Sequence, residues 1–177
     1  MRSDLCAGED ARPDRSARQK VLVLSMADHT PSLPKRILVP IDFSPHADRA
    51  FAYARELAVK LQAELHVVHV YQAPMYALPE GVAFAGPELE TELSHAAQRQ
   101  LDAWLQSKGS EAPQVKGLLR KGVPSDEIVR GAVDTNAGLI VMGTHGRTGV
   151  TRFLLGSVAE RVVRTSEVPV LTLPLAS

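Results

Sequence analysis

The chain has 177 residues, a length that suits one α/β domain of ordinary size with a short segment to spare. Its 20 Lys+Arg are matched by 20 Asp+Glu, which excludes binding by a global basic field, as in nonspecific adhesion to nucleic acid or to an anionic membrane. A hydrophobic share of 45% and a charged share of 23% are those of a globular protein, so any ligand must be held by a local site.

Residues 1–34 mix charges, prolines and small residues, with no helical or strand period beyond the short run Val21 to Leu24. They are expected to form a disordered extension ahead of a domain at 35–177. Arg18 to Lys20 followed by Val21 to Ala27 has the outline of a secretory signal. The apolar part is short, however, and Asp4, Glu9, Asp10 and Asp14 spoil the basic region such a signal needs. Secretion is therefore not expected. Met26, just ahead of the patterned region, is a candidate first residue. Cys6 has no second cysteine to pair with, which fits a reducing compartment. No apolar run approaches the roughly 18 residues of a membrane span.

Ile37-Leu38-Val39-Pro40-Ile41 is a short apolar run of the kind found in a strand buried on both faces, and Asp42-Phe43-Ser44-Pro45 stops it. Ser44 is a good N-cap and Pro45 a good first helical residue. Ala47, Ala50, Phe51, Ala54, Leu57, Ala58 and Leu61 recur at helical spacing, which predicts a helix to about Gln62. Glu64 to Tyr71 reads as the second strand. Pro74, Pro79, Gly81, Gly86 and Pro87 then predict a loop. Leu89, Leu93, Ala97, Leu101 and Trp104 or Leu105 mark a second helix ending before Gly109, with Trp104 on its core face.

Val115 to Arg120 is a weaker strand. Pro124-Ser125-Asp126-Glu127 opens a helix with apolar positions Ile128, Val129, Ala132 and Val133. Leu139 to Met142 is the fourth strand, followed by a glycine-containing loop, a helix from Ser157, and a closing strand from Val168 to Leu173. Strands and helices thus alternate throughout. This predicts a parallel five-stranded sheet with helices on both faces, in the order 3-2-1-4-5. Ligands sit outside the carboxyl ends of the strands where that order reverses, between strands one and four.

Asp42 follows strand one, and Gly143-Thr144-His145-Gly146 follows strand four, with Gly156-Ser157 nine residues further on. A fixed carboxylate can accept from ribose hydroxyls. Glycines and a helix N-terminus offer backbone amides to a phosphate. Arg147 and Arg152, between the glycines, are either phosphate-screening or solvated loop charges. The phosphate-gripping Gly-x-x-x-x-Gly-Lys-Ser/Thr loop is missing, as is Gly-x-Gly-x-x-Gly after strand one. His145 lacks a placed partner that would make it a general base. His66 and His69, three apart on a strand, point to opposite faces and cannot share a metal ion.

The Gly143-Thr144-His145-Gly146, nine residues, Gly156-Ser157 arrangement resembles the signature of the universal stress protein family. Ile37 to Ser44 resembles that family's opening strand and Val168-Pro169-Val170-Leu171 its closing one, a similarity covering about residues 35–174. The resemblance implies an adenine-nucleotide-binding domain of the subgroup that keeps the ATP signature. It implies Pro40, Asp42 and Val70 around the adenosine, and Met142, Gly143, Gly146, Gly156, Ser157 and Val158 on the phosphate side. It further implies ATP with Mg2+ or Mn2+ held through the phosphates, a cytoplasmic location, a homodimer and a role under stress. The Val168–Leu173 edge strand is a suitable dimer contact, because an apolar edge must be covered and Pro169 and Pro174 limit how far a ladder can extend. The expected function is a nucleotide-dependent regulatory switch. Alternatives are a slow ATPase or autophosphorylating enzyme using His145 or Ser157, and an adaptor that works without nucleotide.

Overall fold

The computed structural model describes residues 33–78, 81–84, 86–108, 115–144 and 155–174. The segment expected as an extension lies outside the described residues except for Leu33 and Pro34.

Strand β1, Arg36–Ile41, holds Ile37, Leu38 and Val39 fully buried, as its unbroken apolar run requires of a central strand. Helix α1, Pro45–Leu61, begins where Ser44 Oγ accepts from the Ala47 amide at 3.3 Å, and ends at Gln62 in the left-handed conformation. Strand β2, Glu64–Tyr71, pairs in parallel with β1 from Arg36–Glu64 to Ile41–His69.

Among the described residues, a departure from the expected elements lies between β2 and the second helix. The stretch expected as a loop contains an antiparallel pair, β3 at Met75–Leu78 and β4 at Gly81–Phe84. Pro74 and Gly86 flank the pair and Gly81 opens β4, so these strand breakers border a hairpin instead of abolishing it, while Pro79 lies outside the described residues.

Helix α2, Pro87–Lys108, buries Ala97, Leu101 and Trp104. Trp104 meets Phe51 edge-on with ring centroids 4.8 Å apart, and its indole N–H donates to Asp48 Oδ1 at 2.9 Å. The tryptophan therefore ties α2 to α1 as well as filling the core. Strand β5, Val115–Lys121, leads through Gly122 to helix α3, Pro124–Asp134. Gly122 has φ 145°, a region that side chains avoid, and a Cβ there would lie 3.0 Å from Glu127 Cγ. Val133, expected on the apolar stripe of α3, faces outward at 61% exposure, while Ser125, Ile128, Gly131 and Ala132 form the buried face. Strand β6, Leu139–Gly143, helix α4, Ser157–Thr165, and strand β7, Val170–Leu173, which begins two residues later than expected, complete the described elements.

The main sheet is parallel, in the order β5-β2-β1-β6-β7, which is the expected 3-2-1-4-5 when its own strands are numbered in sequence. Side-chain alternation splits the core into two layers. Ile37, Val39, Ile41, Leu65, Val67 and Val141 pack against α1 and α2. Leu38, Val68, Ile140 and Met142 pack against α3 and α4. Helices thus cover both faces. The β1–β6 pairing stops at Leu38–Ile140, whereas β1–β2 continues to Ile41–His69. Pro40 brings no amide donor to the end of β1. The two strands part there, and the gap between their carboxyl ends opens the cleft described next. Among the described residues, no helix is long and apolar enough to cross a membrane.

Candidate functional site

A cleft of about 410 Å³ opens at the carboxyl ends of β1, β2 and β6, where the strand order reverses. Pro40 and Asp42 from the β1 end, Val70 from β2, Met142 and Gly143 from β6, and Gly156, Ser157 and Val158 from the start of α4 all line it. The carboxylate and the glycine-serine segment expected to converge therefore border one space. Gly146, with His145, Arg147 and Arg152, lies outside the described residues.

The walls divide by chemistry. Pro40, Val68, Val70, Ile128 and Met142 give an apolar surface broad enough for a flat ring. The opposite side is made by helix starts. Gly156 is the N-cap of α4 with φ -61° and ψ 149°, and no side chain caps the helix. Helix α3 also starts without a side-chain cap, and its Pro124 reaches the same cleft. Two helix N-termini, each the positive end of a dipole, thus face a common space, an arrangement that favours an anion. Ile128 and Ala132 of α3 pack in one core cluster with Ala159 and Val162 of α4, and an exposed ion pair of Asp126 with Arg161 at 3.2 Å bridges the same two helices.

Backbone bonds fix the Gly143 end. The Thr144 amide donates to the Leu173 carbonyl at 3.0 Å, and the Gly156 amide donates to the Thr144 carbonyl at 2.7 Å. One residue thus joins the end of β6 to edge strand β7 and to the start of α4.

At the β1 end, Asp42 Oδ1 accepts from the Ser44 amide at 3.1 Å and from the Ser44 hydroxyl at 2.5 Å. Ser44 caps α1 while also bracing the carboxylate, so Asp42 belongs both to the turn and to the cleft wall. Phe43 between them has φ 63°, a left-handed conformation that costs a residue with a Cβ about 1 kcal/mol. Its ring packs on His69 with centroids 4.4 Å apart.

His69 itself lines the cleft, as do Gln72 and Thr144; sequence reasoning weighed His69 only as half of a metal pair and quoted Thr144 only within the glycine motif, and assigned none of the three to the cleft. His69 Nδ1 lies 2.9 Å from the Ile41 carbonyl. A carbonyl only accepts, so Nδ1 carries the hydrogen. The signal for His69 lay in strand register alone, because parallel pairing sets it opposite Ile41. His66 instead bonds Glu64 through Nε2 at 3.2 Å, so the two histidines of β2 serve different partners, as their spacing predicted. No group of three or more His, Cys, Asp or Glu among the described residues is placed to hold a metal ion.

Fold and cleft together define a class: a doubly wound α/β protein with a ligand-sized cleft at its topological switch point. The chain belongs to the universal stress protein family, whose family model matches residues 34–174. Universal stress protein MJ0531 of Methanocaldococcus jannaschii is 37% identical over 142 residues, which are 79% of this chain and 82% of that protein. A universal stress protein solved in complex with cAMP superposes with a TM-score of 0.58 at 25% identity, covering 82% of this chain and 100% of that one. The Archaeoglobus fulgidus universal stress protein solved in complex with dAMP has a TM-score of 0.56 at 26% identity, covering 77% of this chain and 95% of its own.

Proposed function

We propose that the chain binds an adenine nucleotide, ATP in particular, in the cleft at the carboxyl ends of β1, β2 and β6. The observation that carries this reading is the meeting of Asp42 with the uncapped start of α4 at Gly156-Ser157 across one apolar-floored space. Similar proteins solved with cAMP and with dAMP support the adenosine part of it. Pro40 and Val70 would flank the adenosine and Asp42 the ribose. Met142, Gly143, Gly156, Ser157 and Val158 would face the phosphates, with Gly146 joining them from the glycine loop. A Mg2+ or Mn2+ ion would be held through the phosphates themselves.

Nucleotide occupancy would act as a switch. Thr144 bonds both α4 and β7, so a ligand that tightens the β6–α4 turn also bears on the edge strand. That edge would close a homodimer across the Val168–Leu173 segment. In this reading the protein is a cytoplasmic regulator under stress, and the nucleotide selects its partner-binding state. Calorimetric titration of the folded chain with MgATP tests the proposal: a saturable one-site isotherm is expected, and a folded chain that takes up no ATP would overturn it.

A further inference from the structure

We infer that His69 is a positioning residue for Asp42, holding the end of β1 so that the carboxylate meets the ribose of the nucleotide. The inference rests on the nucleotide reading above and goes beyond it, because the contact to the ligand is made by Asp42 and the geometry of that contact is set from a neighbouring strand.

Three observations converge. The His69 Nδ1–H donates to the Ile41 carbonyl at 2.9 Å, which fixes the peptide unit leading directly into Asp42. The Phe43 ring, whose residue holds the unfavourable φ 63°, lies against the same imidazole at a centroid distance of 4.4 Å. On the far side, Ser44 grips Asp42 Oδ1 through its amide and hydroxyl. The three-residue turn Asp42-Phe43-Ser44 is thus held at both ends and in the middle, and His69 supplies two of those three restraints. A left-handed phenylalanine persists only where its surroundings over-determine it. Here the surroundings include one imidazole, one cap and the core cluster beneath α1, against which Phe43 packs. Removing the imidazole leaves the Ile41 carbonyl without that donor and frees the turn to relax toward ordinary φ values, which moves the carboxylate.

The test uses two ligands that differ only at the ribose, ATP and 2′,3′-dideoxy-ATP, titrated with Mg2+ against the wild-type chain, His69→Phe and His69→Asn. His69→Phe keeps a ring for Phe43 and loses the donor; the Asn side-chain amide restores a donor near the Nδ1 position. ATP affinity is expected to fall about tenfold in His69→Phe, the loss of roughly one hydrogen bond, and to recover largely in His69→Asn. The dideoxy ligand is expected to bind wild type and His69→Phe with affinities within about twofold, because it offers no hydroxyl for Asp42 to accept from. Equal losses for both ligands would show a merely structural role and overturn the inference while leaving nucleotide binding intact. No ATP binding by the wild-type chain would overturn both readings. Long-range 1H–15N spectra of the wild-type imidazole read the same bond with no substitution: the Nδ1-protonated tautomer is expected, and the Nε2-protonated tautomer overturns the inference even if His69→Phe does not fold.

Discussion

At the scale of single residues, the cleft is governed by where charge and backbone donors lie. Ser157 is an exposed residue at the start of α4. A glutamate there suits the helix dipole and adds about 0.3–1 kcal/mol to stability, yet it sets a negative charge where the proposed phosphates bind. Ser157→Glu is therefore expected to melt no lower than wild type while its ATP affinity falls at least about tenfold, a difference of about 1.4 kcal/mol. Calorimetry and thermal melts on one preparation separate the two effects. Glu127 gives a second residue-level prediction. The Arg120 hydrogen bond at 2.8 Å holds its carboxyl below the ordinary carboxylate range, against an opposing effect of burial, and Arg130 adds a further bond at 2.7 Å. A depressed folded-state pKa stabilises the fold above the unfolded value and loses that contribution as pH falls through the folded one. Urea midpoints should hold down to about pH 5 and drop below about pH 4.3, the ordinary glutamate value. Glu127→Gln should flatten that part of the profile.

At the scale of elements, α1 and α2 are clamped by few groups. Asp48 on α1 accepts from the Trp104 indole at 2.9 Å and from Lys108 Nζ at 3.0 Å, while Leu101 is fully buried beneath them. Leu101→Ala should cost about 2–5 kcal/mol through lost burial and the cavity left behind. Trp104 is the chain's single tryptophan, so its fluorescence reports the α1–α2 contact directly in a urea titration. A Leu101→Ala midpoint equal to wild type would contradict the packing. At the hairpin the sequence was misleading for a local reason. Pro74, Gly81 and Gly86, within and beside the pair, outweigh two four-residue strands in any propensity count, because strands that short carry little signal of their own. Val133 shows the opposite failure. An apolar residue at nearly helical spacing satisfies a periodicity count, but only the seating of α3 on the sheet, close at Gly131 near Leu38 and Val68, decides which side it faces.

At the scale of the whole molecule, β7 is an edge of the sheet with half-buried Val170, Leu171 and Leu173, and an apolar edge invites a partner. Under the proposed dimer, sedimentation equilibrium should return a mass twice that of one chain, and a strictly monomeric chain at tens of micromolar protein would remove the dimer from the proposal. The sequence by itself determined the alternation of strands and helices, and with it the parallel order that brings the ends of β1 and β6 together. These follow from hydrophobic period and from the handedness of crossovers, which are local or topological rules. It also named Asp42, Gly143, Gly156 and Ser157, because glycine spacing and a helix start are written in consecutive residues. Tertiary structure alone decided that His69 holds the Ile41 carbonyl, that Thr144 bridges Leu173 and Gly156, and that Trp104 reaches Asp48. Each of those bonds joins residues brought together by strand register or helix docking. A hydrogen bond depends on distances of a few tenths of an ångström, and no pattern along the chain carries that information.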